Sequence, residues 1–337
     1  MGIKVISSGS LTTVQDLGRP GYQAMGFSVS GALDKRSARI ANLLAGNDEG
    51  AALLEMTLMG GIFEFEEDTV FALTGADMGA ELNKEPVMRY SAVFAKAGDT
   101  LACGFTKLGL RGYLAFGGGI DVPAVMGSCS TNLRVKLGGY EGRALKAGDV
   151  LPVNAEGRKK AVAGAFGGRG MMAPGSGSRA AELLEEAARF ENRIKGGACV
   201  LRVVPGPQEE YFTEKGIRTF YSTPYQITPD SDRMGCKLKG EAVEYKDSVD
   251  IISDGIALGA IQIPSGGQPI IMLSDRQTTG GYAKIGTVIA ADIKALVQNT
   301  IGGRVTFERV SVKEAAKIYR AEEKERKKIA ARLGGKR

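Results

Sequence analysis

From Ile62 to about Val153 the chain is a succession of short β-type runs cut by glycine turns, and few folds accept that pattern. Val70–Leu73, Val93–Ala95, Leu110–Phe116 and Val150–Val153 are separated by Gly-Ala-Asp, Ala-Gly-Asp and Gly-Gly-Gly turns. The spacing predicts an antiparallel barrel or sandwich. The chain's 48 glycines are scattered without a period, which suits tight turns and excludes collagen. The second half opens a new set of strands at Cys199–Val204 and ends them at Val305–Val310. The fold class is therefore mainly β with a few helices.

Helices are expected at about 33–45, where Ile40, Leu43 and Leu44 form a stripe and Gly46 stops it, and at about 290–298. Pro207 suits the first position of a short helix over 208–215. Composition changes at Asn154. Residues 154–178 read as a Gly-rich linker, and 179–195 as a helix with Leu183, Ala187, Phe190 and Ile194 on one face. Residues 312–333 read as a charged helix. The domain reading is 1–153, a linker and helix at 154–197, a second half at 198–311, and a charged tail at 312–337.

No histidine occurs, which removes Ser-His-Asp and Cys-His catalysis and every His-containing metal site. The four cysteines lie far apart with no Cys-x-x-Cys, so no metal is expected. Free thiols and the lack of a leader-like segment predict a cytoplasmic protein, and no apolar run is long enough to span a bilayer. The net charge of +6 resides in the tail. Removing the ten Lys/Arg and four Glu of 313–337 from totals of 44 and 38 leaves the body balanced, so no nucleic-acid partner is expected.

Three polar constellations remain. One surrounds Asp16, Arg19, Ser30 and Asp34; one packs Asp230, Asp232 and Arg233 into a Pro/Gly-bounded loop. The third follows the apolar run Ile270–Leu273, where Ser274, Asp275, Arg276, Gln277, Thr278 and Thr279 lead through two glycines to Tyr282 and Lys284. A strand delivering that density of donors onto a glycine-softened turn can floor a polar pocket. Adjacent Asp and Arg can orient a carboxylate or amide and accept a proton, or they can simply cap and brace turns. Gly117-Gly-Gly119 is a flexible turn, or a close backbone approach to a ligand. No Gly-x-x-x-x-Gly-Lys phosphate loop and no biotin-attachment Met-Lys-Met occur.

Several stretches together resemble a known family. They are Thr13-Val-Gln-Asp-Leu-Gly-Arg-Pro-Gly-Tyr22, Ser30-Gly-Ala-Leu-Asp34 with Ala41-Asn-Leu-Leu-Ala-Gly-Asn47, Leu54-Glu-Met-Thr57, Leu73-Thr-Gly-Ala-Asp77, Tyr113-Leu-Ala-Phe-Gly-Gly-Gly-Ile-Asp-Val-Pro123 and Gly127-Ser-Cys-Ser-Thr131. Pro205-Gly-Pro-Gln208, Ser231-Asp-Arg-Met-Gly235, Gly259-Ala-Ile-Gln-Ile-Pro264 and Asp275-Arg-Gln-Thr-Thr-Gly-Gly-Tyr282 complete the set. In this order they resemble the allophanate hydrolase subunit 2 family, also called the 5-oxoprolinase C subunit, KipA or biotin-dependent carboxyltransferase. Cys129 stands where that pattern has Arg, and Ala283 where Pro commonly follows Gly-Gly-Tyr.

The resemblance implies two cyclophilin-like β-barrel domains. It also implies work in a complex with the KipI-like B subunit and the A subunit of 5-oxoprolinase, opening 5-oxoproline to glutamate with ATP bound by this chain or by a partner. The alternatives are a biotin-dependent carboxyltransferase component acting on a urea-like amide, without covalent biotin on this chain, and a non-catalytic regulator of a kinase inhibitor. For the first activity the expected roles are these. Arg276 and Arg233 hold the substrate carboxylate or a phosphorylated intermediate, Asp275 or Asp232 handles protons, and Gln277, Thr278, Thr279 and Tyr282 bond the amide. Lys284, Gln268, Asp16 and Arg19 are further substrate-binding candidates.

Overall fold

The computed structural model describes residues 2–166, 186 and 197–333. The chain falls into two compact units, Met1–Arg19 with Ser30–Glu191 and Arg326–Arg337, and Pro20–Val29 with Asn192–Glu325. The short segment 20–29 thus belongs with the second half of the sequence.

The first unit holds β1 (Gly2–Ser7), β2 (Leu11–Gln15), β3 (Leu53–Thr57), β4 (Ile62–Phe65), β5 (Thr69–Asp77) and β6 (Glu81–Leu82). It continues with β7 (Glu85–Pro86), β8 (Ala92–Ala95), β9 (Thr100–Ala102), β10 (Leu108–Phe116) and β11 (Val150–Pro152). Two antiparallel sheets result, in the orders β11-β1-β4-β9-β6-β7 and β2-β3-β10-β5-β8. They share one core: Phe65 of the first sheet meets Phe71 and Phe116 of the second at ring separations of 5.3 and 6.1 Å. Alternation along β10 explains its near-complete burial. Leu114 and Phe116 enter that core, while Tyr113 and Ala115 face α1 (Lys35–Leu44). Small residues at Ala38, Ala41 and Ala45 let α1 lie close on the sheet, and Asp34 caps it by accepting from Ser37 N at 3.0 Å.

The linker expectation is corrected in part: Ala155–Phe166 forms a helix, α2. Asn154 starts it, its Oδ1 accepting from Gly157 N at 2.8 Å. The run Gly117-Gly-Gly119 lies against this helix. A Cβ at Gly118, where φ is +96°, would sit 2.4 Å from Asn154 O, and one at Gly117 would sit 2.6 Å from Ala161 Cβ. The close approach read from those glycines is therefore to α2. The helix expected at about 179–195 lies outside the described residues.

The second unit contains β12 (Cys199–Pro205), β13 (Tyr225–Ile227), β14 (Gly235–Lys239), β15 (Asp250–Gly255) and β16 (Ala260–Gln262). β17 (Ile270–Met272), β18 (Thr279–Tyr282), β19 (Lys284–Val288) and β20 (Arg304–Arg309) follow. Seven of these close a barrel in the order β12-β19-β16-β17-β14-β13-β20, while β15 and β18 pair separately as a two-stranded ribbon. The barrel is antiparallel except where β12 runs parallel to β20. The helix expected over 208–215 is displaced. A single 3₁₀ turn occupies Glu209–Tyr211, and α3 (Glu214–Ser222) begins after Thr213, whose Oγ1 accepts from Gly216 N at 3.0 Å. The Thr213 cap and the buried stripe Gly216, Thr219 and Phe220 outweigh the proline signal; Phe220 stacks on Phe307 at 4.3 Å. The helix expected at 290–298 is α4 (Ala290–Gln298), and α5 (Val312–Arg332) is the charged tail helix. Its last turns belong to the first unit. There Arg326 Nη1 donates to Glu49 at 2.8 Å, and Ile329 packs with Ile40 and Tyr90. Mainly β with a few helices is thus the observed class.

Candidate functional site

In the second unit, β17 ends at Met272 and the chain turns through 273–278 before re-entering the ribbon as β18. The turn is tied to the 231–235 loop by backbone bonds from Leu273 N to Met234 O (2.9 Å) and from Asp275 N to Arg233 O (3.0 Å). Between these strands Arg233 grips Asp275, with Nε to Oδ2 at 2.9 Å and Nη2 to Oδ1 at 3.3 Å. Asp232 faces the other way: exposed, it caps its own turn by accepting from Met234 N at 2.7 Å and Gly235 N at 3.0 Å. Both carboxylates expected to handle protons are thereby committed, Asp275 to a guanidinium and Asp232 to a turn.

Arg276 differs from Arg233. Its side chain is buried, with the residue at 6 % exposure, and donates from Nε to Ile256 O at 2.9 Å and from Nη1 to Leu273 O at 3.0 Å. Among the described residues no carboxylate pairs with it. Burial pulls the guanidinium below its ordinary pKa range, with no acidic neighbour to offset the shift. Ser28, from the 20–29 segment, donates its Oγ to Arg276 O at 2.7 Å and so pins this turn from outside the barrel.

The passage from ribbon to barrel then divides the expected constellation. Thr279 and Tyr282 are exposed on the ribbon, Gln277 is exposed on the turn, and Lys284 is buried at the start of β19. Two amide side chains converge over Gly280, where a Cβ would lie 2.9 Å from Gln262 Nε2 and 3.3 Å from Gln277 Nε2. Thr278 contributes its carbonyl, which accepts from Ile256 N at 2.9 Å. Gln268 is elsewhere employed. Its Oε1 accepts from Gly240 N at 2.8 Å and its Nε2 donates to Gly240 O at 3.2 Å, which clips two loops together. Gln262 escapes sequence reasoning because it lies on β16, paired with Lys284 across the barrel wall.

In the first unit Asp16 is enclosed by donors. Gly18 N (2.7 Å) and Ser128 Oγ (2.7 Å) bond its Oδ1, as does Ser130 Oγ, and Cys129 N bonds Oδ2 at 2.6 Å. Ser130 Oγ also accepts from Asp16 N at 3.0 Å. Arg19 is fully buried and donates to the carbonyls of Ser130 and Val125. These two residues hold the 125–131 loop in place, a supporting role. Burial pushes the Cys129 thiol pKa up, the Asp16 and Asp121 charges add to the rise, and Arg19 only partly opposes it. A second buried network joins three of the family-like stretches: Tyr113 OH donates to Glu55 Oε2 at 2.9 Å and accepts from Asp34 N, while Leu33 N donates to the same Glu55 oxygen at 2.8 Å.

Among the described residues no group of three or more His, Cys, Asp or Glu could hold a metal, and no helix is long and apolar enough to cross a membrane. The second unit offers a buried guanidinium, a buried ammonium and converging amides, which suit an anionic amide as ligand.

A family model described as carboxyltransferase domain, subdomain A and B, matches residues 25–309. The chain is 40 % identical over 331 residues to the C subunit of 5-oxoprolinase from Escherichia coli (strain K12), covering 98 % of each. It is 31 % identical to the urea amidolyase of Lachancea kluyveri, covering 95 % of this chain but 17 % of that protein. The crystal structure of the Kluyveromyces lactis urea carboxylase matches with a TM-score of 0.82 at 27 % identity, over 97 % of this chain and 29 % of that one.

Proposed function

Because the chain belongs to the carboxyltransferase domain family, subdomains A and B, we propose that it is the C subunit of an ATP-dependent 5-oxoprolinase, opening a small cyclic amide, 5-oxoproline, to L-glutamate. One observation carries the choice of substrate. Arg276 is a buried guanidinium bonded to two carbonyls and to no carboxylate among the described residues. 5-Oxoproline brings a carboxylate to such a group, whereas urea does not. Coverage supports the same choice. The chain matches nearly the whole of the Escherichia coli protein, but only a fraction of the urea amidolyase.

In this reading Arg276 holds the substrate carboxylate, and Gln277 with Gln262 bonds the lactam amide over Gly280. Arg233 and Asp275 position the turn, with Thr278 supporting it through its carbonyl and Thr279 and Tyr282 lining the outer approach. The complex includes a KipI-like B subunit and the 5-oxoprolinase A subunit. ATP is consumed by the assembly, and with no phosphate-binding loop motif in this chain its site is assigned to a partner or to a shared surface.

The second reading is carboxyl transfer from carboxybiotin on a partner to a urea-like amide, favoured by the similarity to the Kluyveromyces lactis urea carboxylase. The test is reconstitution of this chain with its two partner proteins. ATP hydrolysis dependent on 5-oxoproline supports the proposal. Stimulation by urea with a biotin carrier selects the second reading, and no response to any amide points to a regulatory protein.

A further inference from the structure

Lys284 is enclosed at the start of β19, its side chain only 5 % exposed, yet the one acceptor it meets among the described residues is Asp254 Oδ2, 2.9 Å from Nζ. That partner is 55 % exposed and comes from β15, a strand outside the barrel. An ammonium has three donors, and here the protein uses one. Gln208 completes the arrangement. Its Oε1 accepts from Lys284 N at 3.2 Å, and its side chain lies near enough to the Asp254 carboxylate to help lower its pKa, after the larger effects of Lys284 and Gly255 N. Lys284, on the barrel wall, thus holds a carboxylate, with the Gln208 side chain beside it just past the end of β12.

The element that delivers this carboxylate is weakly held. β15 is exposed along most of its length and pairs only with β18, and the register breaks between Asp250 and Asp254. Ile252 at its centre is 95 % exposed. β15 lies outside the barrel's strand order, so moving Asp254 off Lys284 breaks no barrel pairing. Among the described residues the remaining donor to the Asp254 carboxylate is the adjoining Gly255 N, at 2.7 Å, which would travel with it.

We infer that Lys284 and Gln208 form a carboxylate-binding subsite, filled in this structure by Asp254 as an internal stand-in and opened when a ligand carboxylate displaces it. The ligand class is a small molecule or side chain bearing a carboxylate, recognised by one buried ammonium with the Gln208 side chain beside it. The subsite lies in the same unit as Arg276, but its hold on a carboxylate does not depend on the 5-oxoprolinase reading.

The test uses the full chain and acetate as the probe, with acetamide as its uncharged isostere, each followed by methyl line broadening at constant ionic strength. Asp254→Ala should bind acetate at least tenfold more tightly than the natural chain and leave acetamide unbound. Adding Lys284→Met should abolish the gain. Asp254→Ser serves as a second vacated variant, and circular dichroism checks that each protein is folded. Equal acetate binding with and without Asp254, or a gain that survives Lys284→Met, overturns the inference. Loss of 5-oxoproline turnover in the assembled complex bears on the proposed function alone and leaves this binding result intact.

Discussion

Arg233 and Asp275 are joined by two hydrogen bonds, one to each carboxylate oxygen, with side-chain exposures of 7 % and 9 %, and the same two residues are linked through their backbones. A sheltered forked pair of this kind fixes the turn that carries Arg276. Removing one partner leaves a buried charge behind. Asp275→Ala is expected to cost about 3–5 kcal/mol in urea unfolding. Arg233→Met with Asp275→Ala together should cost hardly more than either alone, because the two act as one unit. Additive losses would show that the pair is not coupled.

Arg276 should behave in the opposite way. Arg276→Met removes two bonds to carbonyls but also relieves the burial of an unpaired cation, so the unfolding midpoint should move little. Activity should not survive as well. A lost charge-assisted bond to the substrate carboxylate is worth about 1.5–3 kcal/mol, or about a 10- to 150-fold fall in kcat/KM for 5-oxoproline. Reconstituted complexes measure it directly. Unchanged kcat/KM in a folded variant would remove Arg276 from the site.

In the first unit the prediction concerns Asp16. Ser130→Ala deletes one donor to its carboxylate and one acceptor for its amide, at a cost of about 1–3 kcal/mol. Asp16→Asn should be worse, although it preserves shape. Both carboxylate oxygens receive donors, so whichever end takes the amide nitrogen sets donor against donor. Thermal unfolding of the two variants ranks them, and the reverse order would contradict the clamp.

Strand and helix existence is legible wherever one residue pattern dominates. Leu110–Phe116 reads as a strand because Leu110, Tyr113, Leu114 and Phe116 make a short apolar and aromatic run bounded by glycines, and 290–298 reads as a helix from its own periodicity. Partnership is not legible. Asp16 meets Ser128 and Ser130 more than a hundred positions away, and nothing local marks that meeting. Gln262 looks like a core strand residue until barrel closure sets it against Lys284. The run from Asp275 to Lys284 reads as one constellation, yet the chain passes from the ribbon into the barrel wall between Tyr282 and Lys284, leaving the first exposed and the second buried. Helix α2 is hidden for a different reason. Gly157 and Gly164 and its basic residues resemble a linker, while the glycine that matters, Gly157, is there to let Gly118 pass.

That crossing supplies a further expectation. Gly118→Ala forces a side chain into left-handed backbone at φ +96° and drives its Cβ to 2.4 Å from Asn154 O and 2.7 Å from Arg158 N. Neither contact is with a flexible side chain, so the first turn of α2 must shift. A loss of about 2–4 kcal/mol in urea unfolding is expected, combining backbone strain with the displaced helix. Faster amide exchange at the start of α2 is the local signature. Gly98→Ala, also at positive φ but with open space around its Cβ, should cost only the strain, about 1–2 kcal/mol.

The last prediction is alkaline sensitivity. Cys103 lies in the core between the two sheets of the first unit, and burial pushes its thiol up to about 12 from the ordinary 9.0. The unfolded chain then releases a proton that the folded chain retains as pH climbs between those two values. The raised folded pKa therefore stabilises the fold fully below pH 9 in relative terms, and that advantage drains away above it, with a limiting slope of about 1.4 kcal/mol per pH unit. Tyr113 pulls in the same direction, its phenol held neutral first by burial and then by the Glu55 and Asp34 charges. Urea midpoints measured from about pH 8 to 11 should fall steadily above about pH 9, and Cys103→Ala should flatten the fall while costing stability at every pH through its lost packing. The folded chain's Cys103 should resist iodoacetamide at about pH 8, since the thiolate fraction there is on the order of 10⁻⁴. Rapid labelling of Cys103 under native conditions, or an alkaline profile identical in the variant, would place that thiol in water.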